Sequence, residues 1–319
     1  MKKQIVTIAA LAMSLNMFAQ QWPVPNQEAK PGTRWWWLGS AVTENDLKWN
    51  LRQFADHGIG AIEITPIYGV QGNEKNNIPF LSPRYMEILK YVNAECKADG
   101  IEFDMATGTG WPFGGPWVPL DESASQMLII DTTVVGKKIK ALDLRPIEKK
   151  RKNTSLVGIY AFSEGKFLKI TTPLVEGTLT TKLPSKGTWR IIALYQKKGV
   201  MAVKRAAPGG AGFVIDHFDK QAVTNYLKHI EEAFEKTGTP YPHTFFNDSY
   251  EVSESDYTPT LFQEFYNRRG YSLEENFDKL VDGDTKVVAD YRETLGDMLL
   301  DNFTRTWTAW APVSYTHLT

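Results

Sequence analysis

Two carboxylates, Asp248 and Glu251, stand three positions apart and directly follow the apolar pair Phe245-Phe246. The apolar pair predicts a short strand that delivers both acids at its carboxyl end. Barrel enzymes present their catalytic groups at this end of their strands, so these acids are the first candidates for chemistry. The same spacing also occurs in solvated loops and at helix N-termini, and the rest of the chain has to decide between these interpretations.

Further acids lie inside or at the end of other apolar stretches. Glu63 and Asp104 each interrupt a predicted strand, and carboxylates are rarely buried unless they are paired or functional. For Glu63, a structural ion pair and a role in the site both remain open. Residues 212–218 predict a fourth strand that ends in Asp216 and His217. These two residues could cap the next helix or bind a metal ion or a sugar hydroxyl.

Aromatic side chains accompany these acids. Trp36 and Trp37 lie in the first predicted strand, Tyr68 lies near the end of the second, over residues 61–69, and Trp111 lies in a loop of Gly, Pro and Trp after the third. Glycines let the backbone approach a ligand, and indole rings offer flat apolar faces of the kind that stack on sugars. We therefore predict that the substrate-binding residues are Trp36, Trp37, Glu63, Tyr68, Asp104, Trp111, Asp216 and His217.

Composition limits the partners of this site. The net charge of the 319 residues is −1, which gives no electrostatic case for nucleic acid or for an anionic membrane. The ten tryptophans fit either a neutral ligand such as a sugar or a large core. Cys96 is the only cysteine, so the chain has no internal disulfide framework and no thiolate metal cluster.

The elements that position these residues alternate between strand and helix. Thr43 and the pair Ser82-Pro83 predict helix starts, while Gly58 and Gly100 predict helix ends. Further helices are predicted over residues 220–236, 257–269 and 287–311. The alternation favours an α/β fold with a parallel sheet, and acids at the strand ends favour a TIM-type barrel. About five strand–helix units fit into the chain, so we expect an incomplete (β/α)8 barrel.

The helical period is lost between residues 123 and 210, where short β-rich runs alternate with turn signals. The runs cover residues 127–135, 156–162, 177–182 and 188–195, and they predict a small all-β domain inserted in the barrel after its third strand. The predicted division is then barrel first part 21–122, inserted domain 123–210 and barrel continuation 211–312. Residues 313–319 resemble a translated sequencing adapter, so we expect a non-native tail on a truncated chain.

The first 20 residues are typical of a secretory signal. Lys2 and Lys3 precede an apolar run over residues 5–18, and the small residue Ala19 follows it. The run is too short for a transmembrane helix, and no later stretch is apolar enough to span a bilayer. We therefore expect an exported protein, periplasmic or extracellular after cleavage near Gln21.

Several motifs together resemble the glycoside hydrolase family 106 α-L-rhamnosidases. They are Arg34-Trp35-Trp36-Trp37-Leu38-Gly39, the stretches 63–69 and 104–115, Asn247-Asp248-Ser249-Tyr250-Glu251 and the stretch 290–294. The resemblance implies a (β/α)8-type catalytic barrel with attached β-domains. It also implies inverting hydrolysis of α-L-rhamnosides, often in plant pectin, and dependence on calcium with ligands outside this chain. The family's Asp-x-x-Glu motif maps to Asp248 and Glu251.

An inverting glycosidase needs an acid and a base, with the two carboxyl groups ~6.5–9.5 Å apart across the sugar. Residues three positions apart cannot easily reach opposite faces of a ring. We therefore predict that Glu251 is one catalytic carboxylate, the acid, and that Asp248 tunes it by like-charge repulsion or holds substrate. The second carboxylate is expected beyond the end of the chain. The alternatives are a non-catalytic exported carbohydrate-binding protein and a barrel glycosidase for another sugar.

Overall fold

The computed structural model describes residues 26–248, 250–313 and 317–318. Its strands are β1 (Gly32–Leu38), β2 (Ala61–Ile67), β3 (Glu102–Ala106), β4 (Gly114–Gly115), β5 (Ser125–Val135), β6 (Lys138–Asp143), β7 (Thr154–Ser163), β8 (Lys166–Ile170), β9 (Thr178–Lys182), β10 (Thr188–Lys198), β11 (Phe213–Val214), β12 (Thr244–Phe246) and β13 (His317–Leu318). Its α-helices are α1 (Glu44–Asp56), α2 (Pro83–Asp99), α3 (Lys220–Thr237), α4 (Leu261–Arg269), α5 (Phe277–Asp282), α6 (Thr285–Met298) and α7 (Arg305–Val313).

A parallel sheet in the order β1-β2-β3-β12-β13 carries the cleft described below. Its register aligns Arg34 with Glu63, Glu63 with Asp104, and Asp104 with Thr244. These side chains share one face of the sheet, because successive residues of a strand point to opposite faces.

Helices α1, α2 and α3 pack on the other face, where Trp37, Ile64 and Phe245 contribute to one buried core. The predicted helix starts are confirmed, because Thr43 and Ser82 accept hydrogen bonds from the backbone N–H groups three residues ahead. Gly100 ends α2 in the left-handed conformation. The helix-covered face is therefore apolar, and the uncovered face carries the polar side chains.

The middle of the chain forms antiparallel sheets in the orders β5-β10-β7-β8 and β6-β9. Strands β5, β7, β9 and β10 confirm the four predicted runs, whereas β6 and β8 were missed. The four-stranded sheet also packs against the C-terminal helices, because Tyr160 and Leu194 share a core with Phe265 and Tyr291. The division of the chain into a barrel and an inserted domain stays a prediction.

The predicted fourth barrel strand over residues 212–218 is wrong. The structure forms only β11 there, and β11 pairs antiparallel with β4 outside the parallel sheet. Strand β12 lies beside β3 in its place. Within the described ranges the parallel strands form an open sheet, so a closed barrel is not seen in this part of the chain.

The C-terminal helices follow the predicted segments with different limits. Helix α4 begins at Leu261 rather than at residue 257, and a π-helical turn, Leu299–Thr304, joins α6 to α7. In the ranges that the structure covers, no helix combines the length and the apolar character needed to cross a bilayer. The predicted signal segment lies outside the described residues. The predicted non-native tail stays a prediction, although His317–Leu318 pairs with β12.

Candidate active site

A cleft opens at the carboxyl edge of the parallel sheet. Its walls are the uncovered face of the sheet, the loop after β3 and the segment after β12. The lining residues are Arg34, Glu63, Thr65, residues 106–113, Phe246, Asn247 and Asp248. Side chains from β1, β2, β3 and β12 thus contribute to one cleft.

Arg34 connects two of the predicted acids. Its Nε lies 3.0 Å from Oε1 of Glu63, and both of its terminal nitrogens lie 3.4 Å from Oδ1 of Asp248. The guanidinium also lies 4.7 Å from the ring centroid of Phe246. Thr65 donates a second hydrogen bond to Oε1 of Glu63, at 2.7 Å. Glu63 therefore forms the ion pair that the sequence left open, and it lines the cleft as well.

Sequence reasoning did not select Arg34 as a site residue. The usable signal was its position two residues before Trp36, because alternate residues of a strand share a face. The basic side chain on that face was the natural partner for Glu63 in the neighbouring strand.

Glu251 lies at the rim of the cleft, and its Oε2 has two donors. The indole Nε1 of Trp111 donates to it at 3.0 Å, and the ammonium of Lys204 lies 3.4 Å away. Asp248 has Arg34 beside it, so each acid has a cationic neighbour of its own. The sequence had predicted that the main charged neighbour of each would be the other acid.

The contact between Lys204 and Trp111 depends on a close approach of two backbones. The N–H of Trp111 donates to the carbonyl of Lys204 at 3.2 Å, and the N–H of Lys204 donates back at 2.9 Å. The preceding residue, Gly110, has a φ of +52°, and a Cβ there would overlap the Lys204 carbonyl oxygen. Glycine is therefore required where the loop after β3 meets the segment that carries Lys204.

Exposed aromatic rings line the same rim. Trp36 and Tyr68 are each 42% exposed, and Trp36 packs edge-on against Trp111 with ring centroids 6.3 Å apart. An edge-on pair leaves ring faces available to a ligand. The structure therefore brings together Trp36, Glu63, Tyr68, Trp111, Asp248 and Glu251 around this cleft and its rim.

Trp37 lies elsewhere. It is 1% exposed on the helix-covered face, where its ring packs edge-on against Trp35 and Tyr85. The alternation that exposes Trp36 necessarily turns Trp37 towards the helices. The prediction that Trp37 binds the sugar is therefore wrong, because its side chain is buried in the core.

Asp104 lies on the same face as Glu63 and directly opposite it in the register of β2 and β3. Its Oδ1 accepts hydrogen bonds from the backbone N–H of Thr244, at 2.8 Å, and from Nδ1 of His243, at 3.2 Å. Asp104 therefore links the start of β12 to β3 through hydrogen bonds, and it does not line the cleft at the loop after β3.

Asp216 and His217 are buried, at 3% and 2% exposure, and neither faces the open cleft. Asp216 Oδ1 accepts from the N–H of Phe218 at 2.9 Å, and burial raises its pKa to about 7. His217 shares a hydrogen bond with the carbonyl of Ile215, and burial lowers its pKa to about 3. Asp219, rather than either of them, caps α3. The capping interpretation and the sugar-binding prediction therefore both fail for this pair.

The family resemblance implies calcium whose ligands lie outside this chain. Within residues 26–248 and 250–313, no group of three or more Asp, Glu, His or Cys side chains is placed to hold a metal ion. The acids of the cleft are instead paired with Arg34 and Lys204. Calcium ligands within these residues are not supported, and the family's calcium stays a prediction.

Comparisons with known proteins bear on the fold and the family of this chain. A solved rhamnosidase from Novosphingobium sp. PP1Y matches with a TM-score of 0.68 at 15% identity, covering 92% of this chain and 46% of that one. A protein of Formosa agariphila named "Putative beta-glucuronidase" is 25% identical over 332 residues, covering 88% of this chain. The match spans 28% of that relative's length.

A family model described as alpha-L-rhamnosidase matches residues 23–154 and 161–311. These ranges contain strands β1, β2, β3 and β12 of the parallel sheet and the residues that line the cleft. The chain therefore belongs to glycoside hydrolase family 106, the α-L-rhamnosidase family.

Proposed function

We propose that the protein hydrolyses α-L-rhamnosides of plant pectin-type polysaccharides with inversion, and that Glu251 is one of the two catalytic carboxylates. The observation that supports this most directly is the position of Glu251 beside Trp111 at the rim of the cleft. One oxygen of its carboxylate is held by the indole N–H at 3.0 Å. In the described part of the chain no hydrogen bond to its other oxygen is found, which leaves that oxygen for substrate or water.

The neighbours of Glu251 bear on the direction of proton transfer. As a general acid, it would carry its proton beside the Lys204 ammonium, 3.4 Å away. As a general base, it would act as the carboxylate, which is the form that makes an ion pair with Lys204. We therefore propose Glu251 as the base that activates water, in place of the acid predicted from the sequence.

The remaining cleft residues have supporting roles in this proposal. Trp36 and Trp111 would stack on the apolar faces of the sugar, and Arg34 would hold Asp248 ready to accept hydrogen bonds from sugar hydroxyls. The partner acid must lie ~6.5–9.5 Å from Glu251 across the sugar, and we place it outside the described residues. Export, as predicted from residues 1–20, would bring the enzyme to a polysaccharide substrate.

A panel of aryl glycosides tests the substrate. The intact protein should release the aryl group from the α-L-rhamnoside at least ~100-fold faster than from the other sugars, and proton NMR should show the β-anomer of rhamnose first. Initial release of the α-anomer would refute inversion. Binding of rhamnosides without any release would refute the enzymatic proposal and favour a carbohydrate-binding protein.

β-Glucuronide hydrolysis is a second candidate, and one observation favours it. Two cationic residues, Lys204 and Arg205, lie at the rim, where the carboxylate of a glucuronide would need a positive partner. The Formosa agariphila relative bears the name of that activity. Faster hydrolysis of the aryl β-glucuronide than of the rhamnoside would select this candidate.

A further inference from the structure

Arg205 is an exposed cation at the rim of the cleft, and its guanidinium lies against Tyr68. Its guanidinium lies 5.4 Å from the ring centroid of Tyr68, and Nη1 donates to the Tyr68 hydroxyl at 3.2 Å. Among the described residues no Asp or Glu pairs with it, whereas Arg34, Arg190 and Arg268 all form ion pairs. The contact with Tyr68 orients the guanidinium but leaves its other N–H groups available.

The backbone holds Arg205 in an uncommon conformation. Its φ is +54°, in the left-handed region that residues with a Cβ seldom adopt. The carbonyl of Arg205 accepts a hydrogen bond from the N–H of Tyr68 at 3.1 Å. The N–H and the carbonyl of the preceding residue, Lys204, are both hydrogen-bonded to the backbone of Trp111. Non-glycine residues in this region concentrate at ligand sites, where the surrounding structure maintains them.

Arg205 lies next to the candidate catalytic residues without belonging to them. Lys204 contacts Glu251, and consecutive Cα atoms are ~3.8 Å apart. Tyr68 follows β2 directly, at the same edge of the sheet as the cleft. A ligand group held by Arg205 would therefore belong to a sugar close to the scissile bond.

We propose that Arg205 and Tyr68 form a subsite for the carboxylate of a uronic acid residue in the glycan. This inference rests on the proposed glycosidase function. A guanidinium presents a planar fork of donors that matches a carboxylate, and the half-exposed Tyr68 ring supplies an apolar face for the pyranose. The substrate is then an acidic glycan in which the uronate adjoins the rhamnose that is cleaved.

The test measures binding without turnover. The ligand is a disaccharide of rhamnose α-linked to a uronic acid, and the control ligand is its methyl ester. Calorimetry measures the affinity of the intact protein for each, with Glu251→Gln present to prevent hydrolysis. The free acid should bind about tenfold more tightly than the ester, since charge-assisted bonds to a guanidinium are about twice as strong as neutral ones. Arg205→Gln should abolish this preference, and Arg205→Lys should retain part of it. Arg292→Gln, an exposed arginine on α6, is the matched control and should retain all of it.

Three outcomes decide the inference. Equal binding of acid and ester by the parent protein overturns it, as does an unchanged preference in Arg205→Gln. A preference for aryl β-glucuronide over its ester that disappears in Arg205→Gln retains the carboxylate subsite but assigns the carboxylate to the cleaved sugar. Failure of the protein with native Glu251 to hydrolyse any rhamnoside defeats the proposed function alone, because the binding comparison does not require turnover.

Discussion

Replacement of Asp216 by asparagine should make the protein more stable than wild type at pH 8 and leave its stability near pH 4 almost unchanged. Asp216 is 3% exposed, and burial is the main cause that raises its pKa to about 7 from an ordinary value of 3.8. The charge of Asp219 raises it further, while the N–H of Phe218 donates to the carboxyl group and opposes the shift. Asparagine offers Phe218 the same oxygen acceptor and cannot ionise.

The sign of the effect follows from proton binding. Between about pH 4 and pH 7 the unfolded chain has lost this proton and the folded protein retains it, so wild-type stability falls as the pH rises and levels off above pH 7. A shift of roughly three pKa units corresponds to about 4 kcal/mol, at ~1.36 kcal/mol per unit. The variant should therefore exceed wild type by up to about 4 kcal/mol at pH 8.

Urea unfolding at pH 4, 6 and 8, followed by circular dichroism, measures this difference. Asp56→Asn is the control, because Asp56 is exposed and its pair with Arg52 is a surface ion pair worth at most ~1 kcal/mol. A loss of stability in Asp216→Asn that is as large at pH 8 as at pH 4 would refute the reasoning. It would mean that the folded protein holds Asp216 as a stabilised anion.

Three further substitutions test the cleft. Trp111→Phe keeps an aromatic ring but removes the N–H that donates to Glu251, so kcat/KM should fall about tenfold with an unchanged circular dichroism spectrum. Unchanged kinetics would show that this hydrogen bond does not contribute to catalysis. Arg34→Gln leaves Glu63 and Asp248 without their cation and should lower the free energy of unfolding by ~1–3 kcal/mol in urea titrations. An unchanged free energy of unfolding would show that these ion pairs do not stabilise the protein. Gly110→Ala should cost more than ~2 kcal/mol because its Cβ has no room, whereas Gly58→Ala, also at positive φ but in open space, should cost about 1 kcal/mol; equal losses would contradict the close approach at residue 110.

The alternation of strands and helices could be predicted because its signals are local. Thr43, Ser82 and Gly100 act through hydrogen bonds or backbone conformations within a few residues, so the sequence contains the complete cause. Asp248 and Glu251 also follow a strand end, as their position after Phe246 predicted.

The side of the sheet that each residue faces could not be predicted, because helices on either side satisfy the same pattern. Trp36 and Trp37 are adjacent and equally apolar, and only the packing of α1 and α2 decides which of them is buried. For the same reason the sequence could not distinguish a carboxylate in the cleft from one that fastens two strands, as Asp104 does.

The stretch over residues 212–218 was misassigned because its partner is distant in the chain. Phe213 pairs with Gly115, and a Cβ at Gly114 would overlap the carbonyl oxygen of Phe213. Two glycines in a loop about 100 residues away therefore determine that this stretch forms a short antiparallel pair. The contact between Lys204 and Glu251 is likewise non-local, since it joins the end of the antiparallel segment to the loop after β12.

The role of Glu251 is tested most directly by the rate of rhamnose release from an α-L-rhamnoside by the intact protein and its Glu251→Gln variant. Glutamine keeps the shape of the side chain and can still accept the hydrogen bond of Trp111, but it cannot take a proton from water. We predict a fall in kcat of at least ~100-fold with an unchanged unfolding midpoint. Release within a few-fold of the wild-type rate would contradict the assignment of Glu251 as a catalytic carboxylate.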